Sequence, residues 1–243
     1  MPLSVVTLNI EGDKHLERAI SFLKERKPDI VCIQEIHDAD LHIFEEVLGA
    51  NGVFAAGILR HHPTREGVAE GEAIFSRLPI LASAVRQYAG EPDSPVFFDN
   101  RTTATKHATQ RYMFTTVEVE HEGERYRFGT THFIWTPDGE ADELQRRGMA
   151  GLLKAVGGAG EMVLMGDFNA PRGKEMFALL AAHFKDNVPP AYMTSIDGSL
   201  HRKGPIPLMV DGIFSTPEYR VLDVSMLCGV SDHCALVAKV TKP

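Results

Sequence analysis

The chain has 243 residues, 44% hydrophobic and 24% charged, and its 25 Lys and Arg face 33 Asp and Glu for a net charge of −8. This composition excludes a disordered or low-complexity chain, and the acidic balance excludes a protein that grips duplex nucleic acid by neutralising phosphates alone. It leaves room for an enzyme whose carboxylates hold a cation against an anionic substrate.

The length suits one large unit and no linker-like tract divides it, so a single domain over 1–243 is expected. The alternating, β-branched run Leu3 to Asn9 predicts a strand that ends on a polar side chain. Leu16, Ala19, Ile20 and Leu23 then follow helical spacing up to a stop at Pro28, and "DIVCIQE" is short and apolar enough for a buried strand. Strand, helix and strand in about 30 residues predict a right-handed crossover with parallel strands. A second helix is expected from about Ala39 to Leu48. Two strand-like runs flank Leu78-Pro79 in "EGEAIFSRLPILASAVRQY", which predicts a hairpin or a strand broken at a sheet edge.

From Ala89 to Thr109 periodicity is lost, and a loop of that length in a compact domain is commonly functional. "RYMFTTVEVE" and "ERYRFGTTHFIW" alternate around "HEGE" and predict a hairpin. A helix follows, with Leu144, Met149, Leu152 and Leu153 as its apolar stripe. "MVLMGDF" is the next strand and Lys174 to Phe184 the next helix. After an irregular stretch from Lys185 to Pro207 come three terminal strands, "LMVDGIFS", "YRVLDVSML" and "HCALVAKV". Two strand-rich halves with helices between them predict two packed sheets covered by helices.

Polar residues stop these strands where a core strand does not need them: Asn9, Gln34-Glu35, Asp167-Phe168-Asn169 and Asp232-His233, with His132 and Asp211 as looser cases. Strand ends on one side of a sheet share a floor, so residues far apart in sequence can converge there. If the backbone stays extended, Asp167 and Asn169 project to one face and Phe168 to the other. A carboxylate can then prepare a water beside an amide that meets developing negative charge. The competing reading is an Asx turn after the strand, with Asn169 and Pro171 in turn positions. Glu35 follows five apolar residues and Gln34, and a hard cation such as Mg²⁺ would give it the partner that burial demands. His233 can serve as an acid or a cation toward phosphate, with a carboxylate such as Asp211 fixing its tautomer. His132 can donate a proton to a leaving oxygen. Phosphate-loop, dinucleotide-binding and G-x-S-x-G motifs are absent, which disfavours nucleotide-triphosphate, dinucleotide and serine-hydrolase readings.

Taken together, "TLNIEG", "IVCIQE", "GEAIFSRLPI", "TTHF", "LMGDFNAP", "VDGIF" and "SDHCALV" resemble, in order and spacing, the endonuclease/exonuclease/phosphatase superfamily across about Leu3 to Val240. The resemblance implies an α/β (α+β) four-layered sandwich, two mainly antiparallel sheets face to face with helices outside. It also implies cleavage of a phosphate ester with Mg²⁺, or Mn²⁺ in its place. By the same resemblance Glu35, Asn9 and Asp232 are metal-side residues. Asp167 activates water, Asn169 contacts phosphate, His233 is the essential histidine, His132 assists the leaving group and Asp211 pairs with a catalytic histidine, either His132 or His233. Glu11 stands where nuclease members carry an acid, Glu72 could support one of the histidines, and Gly212 replaces a usual aromatic, which would loosen the wall there.

Asn100, Arg101 and Arg111, in the long loop and at its end, are expected to contact substrate. The expected substrate is nucleic acid or a small phosphodiester. The alternatives are a phosphomonoesterase for sugar, inositol or lipid phosphates, and a non-catalytic binding module of the same fold. Cys32, Cys228 and Cys234 lack metal-ligand spacing and are expected to be reduced, packed thiols. No secretion signal or ~20-residue apolar run is seen, so a cytoplasmic protein without a transmembrane segment is expected, and no protein partner is inferred.

Overall fold

The computed structural model describes all 243 residues. β1 (Leu3–Asn9) and β2 (Ile30–His37) flank α1 (Leu16–Arg26) and pair in parallel, the expected crossover. α1 ends where Lys27 turns into the left-handed region (φ 48°) ahead of Pro28, whose ring disfavours helix at the residue before it. α2 (Leu41–Leu48) leads to β3 (Asn51–Arg60), which pairs with β4 (Val68–Ser76). With β11 (Arg220–Leu227) and β12 (Ala235–Thr241) these strands form one six-stranded sheet, ordered β11-β12-β1-β2-β4-β3.

The other sheet is ordered β5-β6-β7-β8-β10-β9 and comprises β5 (Ile80–Ala89), β6 (Tyr112–His121), β7 (Glu124–His132), β8 (Val163–Asp167), β9 (Lys185–Asp186) and β10 (Asp211–Ser215). The runs flanking Leu78-Pro79 thus form neither a hairpin nor one interrupted strand. β4 pairs with β2 and β3, whereas β5 pairs with β6, so the chain changes sheets at this dipeptide. Proline lacks the N–H needed to continue a ladder, and Ser76 Oγ turns back on Leu78, accepting from its N–H at 3.1 Å and donating to its carbonyl at 2.8 Å.

Three apolar layers hold the sandwich. Val5, Ile30, Cys32 and Ile74 of the first sheet face Val117, Phe128, Val163, Met165 and Ile213 of the second. On the outer face of the first sheet, Val6, Leu8, Val31 and Ile33 pack on Ala19 and Leu23 of α1 and on Phe44 and Leu48 of α2. On the outer face of the second, Phe114, Leu164, Phe168 and Phe214 pack on α4 (Glu143–Gly157) and α5 (Glu175–Ala181). Each large apolar side chain so buried contributes about 1.5–3 kcal/mol. The stripe of α4 is rotated from the expected one. Gln145, Gly148, Met149, Leu152 and Val156 are buried, because Gly148 lets the helix close on Ile134 and Gln145 Nε2 donates to the carbonyl of Ile134 at 2.8 Å. Within the long loop, α3 (Thr103–Ala108) is started by a Thr102/Thr105 capping box.

Each sheet contains one parallel pair, β1-β2 in the first and β7-β8 in the second, and all other neighbours are antiparallel. The carboxyl ends of those four strands carry Asn9, Glu35, His132 and Asp167. Crossover connections leave a crevice at such ends, which is where this class of sheet collects ligand-binding side chains.

The cysteine expectation holds for Cys32 alone, which is free and buried, since Cys228 and Cys234 form a disulfide. Leu227 and Ala235 are the last register partners of β11 and β12, so the next residues outward are the two cysteines. A cysteine at each end of the connection between two predicted strands was the available signal.

Candidate active site

Register places the first three residues. His132 is the partner of Asp167 across β7-β8, and Asp211 is its partner across β10-β8. Laterally paired residues point to one face, so these three side chains form a row. The row depends on Gly166. A Cβ there would lie 2.3 Å from the Thr131 carbonyl oxygen, and its φ of 150° suits glycine alone. Phe168 faces the opposite way as expected, buried against Phe214 with ring centroids 5.0 Å apart. Gly212 does not loosen the wall, because a Cβ there would meet the Phe214 ring at 2.6 Å and Phe168 at 3.1 Å.

Asp167 is the hub of the site. Its Oδ2 accepts from Asn9 Nδ2 at 3.2 Å and lies 3.5 Å from His132 Nε2 and 3.9 Å from His233 Nε2. Its Oδ1 accepts from the Asn169 backbone N–H at 2.9 Å. Asn9 Nδ2 also donates to Glu35 Oε1 at 3.0 Å, so one amide ties the ends of β1 and β2 in the first sheet to Asp167 of β8 in the second. His132 Nε2 is 3.9 Å from Glu35 Oε1. His233 resolves the question of pairing, since its Nδ1 stands 2.7 Å from Asp211 Oδ2. Ser195 Oγ fixes the strand behind that carboxylate by accepting the N–H groups of Val210 and Asp211, both at 3.1 Å. Glu72 supports neither histidine. It is buried in β4 with Oε1 unpartnered, and burial pushes its pKa well above the carboxylate range.

Glu11, Glu35 and Asn169 have positive φ values of 52°, 56° and 45°. Such backbone costs on the order of 1–3 kcal/mol per residue and gathers at functional sites. At Glu35 it coincides with a bulge between Gln34 and Ile36, which frees the side chain from strand alternation. At Asn169 it ends the extended conformation, so the shared-face expectation for Asp167 and Asn169 does not describe the backbone. The turn reading is correct locally: the Asn169 N–H closes on Asp167, and Asn169 Nδ2 donates to the carbonyl of Phe133 at 3.0 Å.

Asp232 and His233 precede β12 rather than lying in it, and they look to different groups. Asp232 approaches Glu11 and His15, and the ligand atoms of these three all lie within 4.8 Å of one another. Burial raises the Asp232 pKa, with the charges of Glu11 and Glu35 adding to the rise against the pull of His233. Burial also raises Asp167, reinforced by Asp211 and opposed by His233 and His132. For Glu35, burial is outweighed by His132, the Asn9 hydrogen bond, Arg60 and His233, and the pKa falls. Burial pulls His233 down, but Asp211 and Asp167 together carry it well above the usual imidazole value.

Glu11 and Asp232, clustered with His15, are oxygen ligands of the kind a hard divalent cation takes, and a cation there would relieve the repulsion that Asp232 feels from Glu11 and Glu35. Glu11, which the resemblance marks only as an acid position, has His15 as its neighbour in this cluster. His15 Nε2 lies 3.4 Å from Glu11 Oε2 and has no hydrogen-bond partner. The spacing of Glu11 and His15, four residues apart, was the signal that could have found the pair.

Of the substrate residues expected in the long loop, none makes a hydrogen bond that reaches this row. Arg101 is held at the surface by Asp99 at 2.6 Å, Asn100 is exposed beside it, and Arg111 donates to Gln87 Oε1 at 2.8 Å and to the Ala56 carbonyl at 3.2 Å. Lys106 of the same loop does face the acids. Its amine sits 4.1 Å from the centroid of the Trp135 ring, and burial pushes its pKa down to about 8 against the opposing charges of Glu35 and Asp167.

The family model for the endonuclease/exonuclease/phosphatase family matches residues 6–233. The chain belongs to that family. Among solved structures, an endonuclease/exonuclease/phosphatase from Bacteroides vulgatus is similar over 100% of both chains, with a TM-score of 0.72 at 19% identity. The human nocturnin catalytic domain, solved with a bound sulfate anion, is similar over 100% of this chain and 94% of its own, with a TM-score of 0.71 at 18% identity. A Bacteroides thetaiotaomicron mannosyl-6-phosphatase is similar over 98% of this chain and 99% of its own, with a TM-score of 0.68 at 16% identity. Identities this low establish the family's fold and not a substrate. No curated protein sequence is detectably similar. No helix is long and apolar enough to cross a membrane.

Proposed function

We propose that this family member is a divalent-metal-dependent phosphodiesterase that hydrolyses a phosphate ester by in-line attack of water. The observation that carries the reading is the position of Asp167, whose Oδ2 meets Asn9, His132 and His233 within 3.2–3.9 Å while Asp211 secures the far side of His233. Glu35, Glu11 and Asp232 would hold Mg²⁺ or Mn²⁺, which supplies positive charge to a phosphoryl oxygen.

This chain's own residues do the remainder. Asp167 accepts a proton from the attacking water, and burial beside Asp211 makes it a stronger base than an ordinary aspartate. His233, kept protonated by Asp211 and Asp167, donates to phosphoryl oxygen as negative charge builds. His132 stands on the other side of Asp167, placed to hand a proton to the leaving oxygen. The second N–H of the Asn169 amide, not used by Phe133, is available to the phosphate. Lys106 and Arg60 bring cations to the rim, and the acidic chain can therefore accept an anion locally. Arg60 is braced by Glu70 at 2.8 and 2.5 Å.

The test is hydrolysis of bis(p-nitrophenyl) phosphate with Mg²⁺ or Mn²⁺, beside p-nitrophenyl phosphate and EDTA controls. Diester cleavage that needs metal and is lost in Asp167→Asn and His233→Ala supports the reading. Equal rates in all three proteins would sink the site assignment. Preference for the monoester would move the protein to the phosphomonoesterase reading, which the sugar phosphatase among its structural neighbours favours.

A further inference from the structure

The catalytic pair Asp232-His233 lies inside a covalent loop. Cys228 and Cys234 are six residues apart in sequence and joined by a disulfide, with Cα atoms 4.2 Å apart. Between them run Gly229, Val230, Ser231, Asp232 and His233. The β11-β12 ladder ends at Leu227 and Ala235, so the covalent link takes over one residue beyond the last register pair.

Segment 195–197 grips the same loop from the side. The Cys234 N–H donates to the Ser195 carbonyl at 2.7 Å, the Asp197 N–H to the Asp232 carbonyl at 2.8 Å, and the Gly229 N–H to Asp197 Oδ2 at 2.6 Å. Ser195 also fixes the backbone of Asp211 through its hydroxyl. One short segment thus sets the positions of both members of the Asp211–His233 pair, but it holds the His233 side by hydrogen bonds alone. The disulfide is what removes the loop's freedom to lift away while those bonds exchange with water.

We infer that the Cys228–Cys234 disulfide is a positioning element for His233 and Asp232, and that the enzyme works at full rate only with this bond formed. The inference rests on the catalytic reading of His233. A bond closing so short a loop restrains few residues, so its effect is local to the catalytic pair. Opening it needs a dithiol or phosphine reductant. With a dithiol, one thiolate attacks a cysteine sulfur and the other cysteine leaves as a thiolate and is protonated. The second reductant thiolate then closes its own disulfide, so that two electrons and two protons pass to the protein. Disulfides persist in oxidising surroundings, and full activity in those surroundings runs against the cytoplasmic expectation from the N-terminal sequence.

The experiment uses the full chain purified without reductant. Thiol titration in denaturant is expected to find one free cysteine, Cys32, and all three after reduction and removal of reductant. Reduced wild type and Cys228→Ser/Cys234→Ser should lose about ten- to hundredfold in kcat toward bis(p-nitrophenyl) phosphate, the scale of a small misplacement of a reacting group. KM should stay within about twofold, circular dichroism at the assay temperature should be unchanged, and reoxidation of wild type should restore the rate. The low-field proton signal of the His233 Nδ1–H bonded to Asp211 should be present in oxidised protein and broadened away in reduced protein.

Three free thiols in the protein as purified would overturn the inference, as would unchanged kcat in both altered forms. Loss of folded signal at the assay temperature in both forms would also overturn it, by making the bond a global staple. His233→Ala, assayed alongside, separates the two levels. If it keeps activity, the catalytic reading fails. If it is inactive while reduced protein keeps wild-type kcat, the positioning inference alone fails.

Discussion

Asp211→Asn tests the architecture of the site with the least change of shape. Asp211 is buried, its Oδ2 is 2.7 Å from His233 Nδ1, and Ser195 holds its backbone, so the amide should occupy the same place. The exchange removes a charge-assisted hydrogen bond worth about 1.5–3 kcal/mol and a charge pair worth about 4 kcal/mol at ~4 Å and an effective dielectric near 20. These overlap, and Asp167 still faces Nε2 at 3.9 Å, so a loss of about 2–4 kcal/mol in stabilising the imidazolium is expected. At about 1.4 kcal/mol per decade, kcat/KM for bis(p-nitrophenyl) phosphate should fall roughly 30- to 1000-fold. Stability should fall as well at pH values where His233 is charged, by less than the full loss because Asp167 and Asp211 no longer repel one another. In a double-mutant cycle, Asp211→Asn should add nothing to His233→Ala, since the aspartate acts through the histidine. A kcat/KM within threefold of wild type, or a double variant that falls by the product of the two single losses, would refute the reasoning.

Three further perturbations bear on the same construction. Asn9→Ala leaves Glu35 and Asp167 without their shared donor and should lower kcat/KM by about 10- to 100-fold, with weaker Mn²⁺ binding by calorimetry. Normal metal affinity and rate would remove Asn9 from the site. Gly166→Ala forces a Cβ to within 2.3 Å of the Thr131 carbonyl oxygen and should cost about 2–5 kcal/mol in urea unfolding, with activity lost at temperatures where the protein stays folded. The third concerns pH in chelated protein. Because the folded His233 pKa lies well above the usual 6.5, its stabilising contribution is complete below about that value and disappears as pH rises through the raised one. The stability gap between wild type and His233→Gln should therefore be widest near pH 6, on the order of 3–5 kcal/mol, and shrink in alkali. A gap that grows with pH would contradict the assigned ion pairs.

Much of this protein is determined by local sequence. The periods of β1, α1 and β2 come from side chains a few residues apart, and the G-D-F-N and S-D-H runs announce strand ends occupied by groups a core would reject. The covering helices and the identity of the candidate acids at strand ends follow from the same short-range signals. What lies between elements is another matter. The Leu78-Pro79 dipeptide marks a break, but whether the chain folds back or crosses to another sheet depends on which edge is free, and only the assembled sheets decide that. Asp211 could orient either histidine until the register of β10 and β7 on β8 set it across Asp167 from His132 and the connection before β12 brought His233 to it. Glu11 and His15 gain meaning only when Asp232, more than two hundred residues later, is brought to within 4.8 Å. Cys228 and Cys234 look like two more packed thiols until antiparallel pairing sets them opposite each other. Periodicity is a property of neighbours along the chain, and a site is a property of neighbours in space. For this protein the two coincide at the strand ends and separate in the loops that join them.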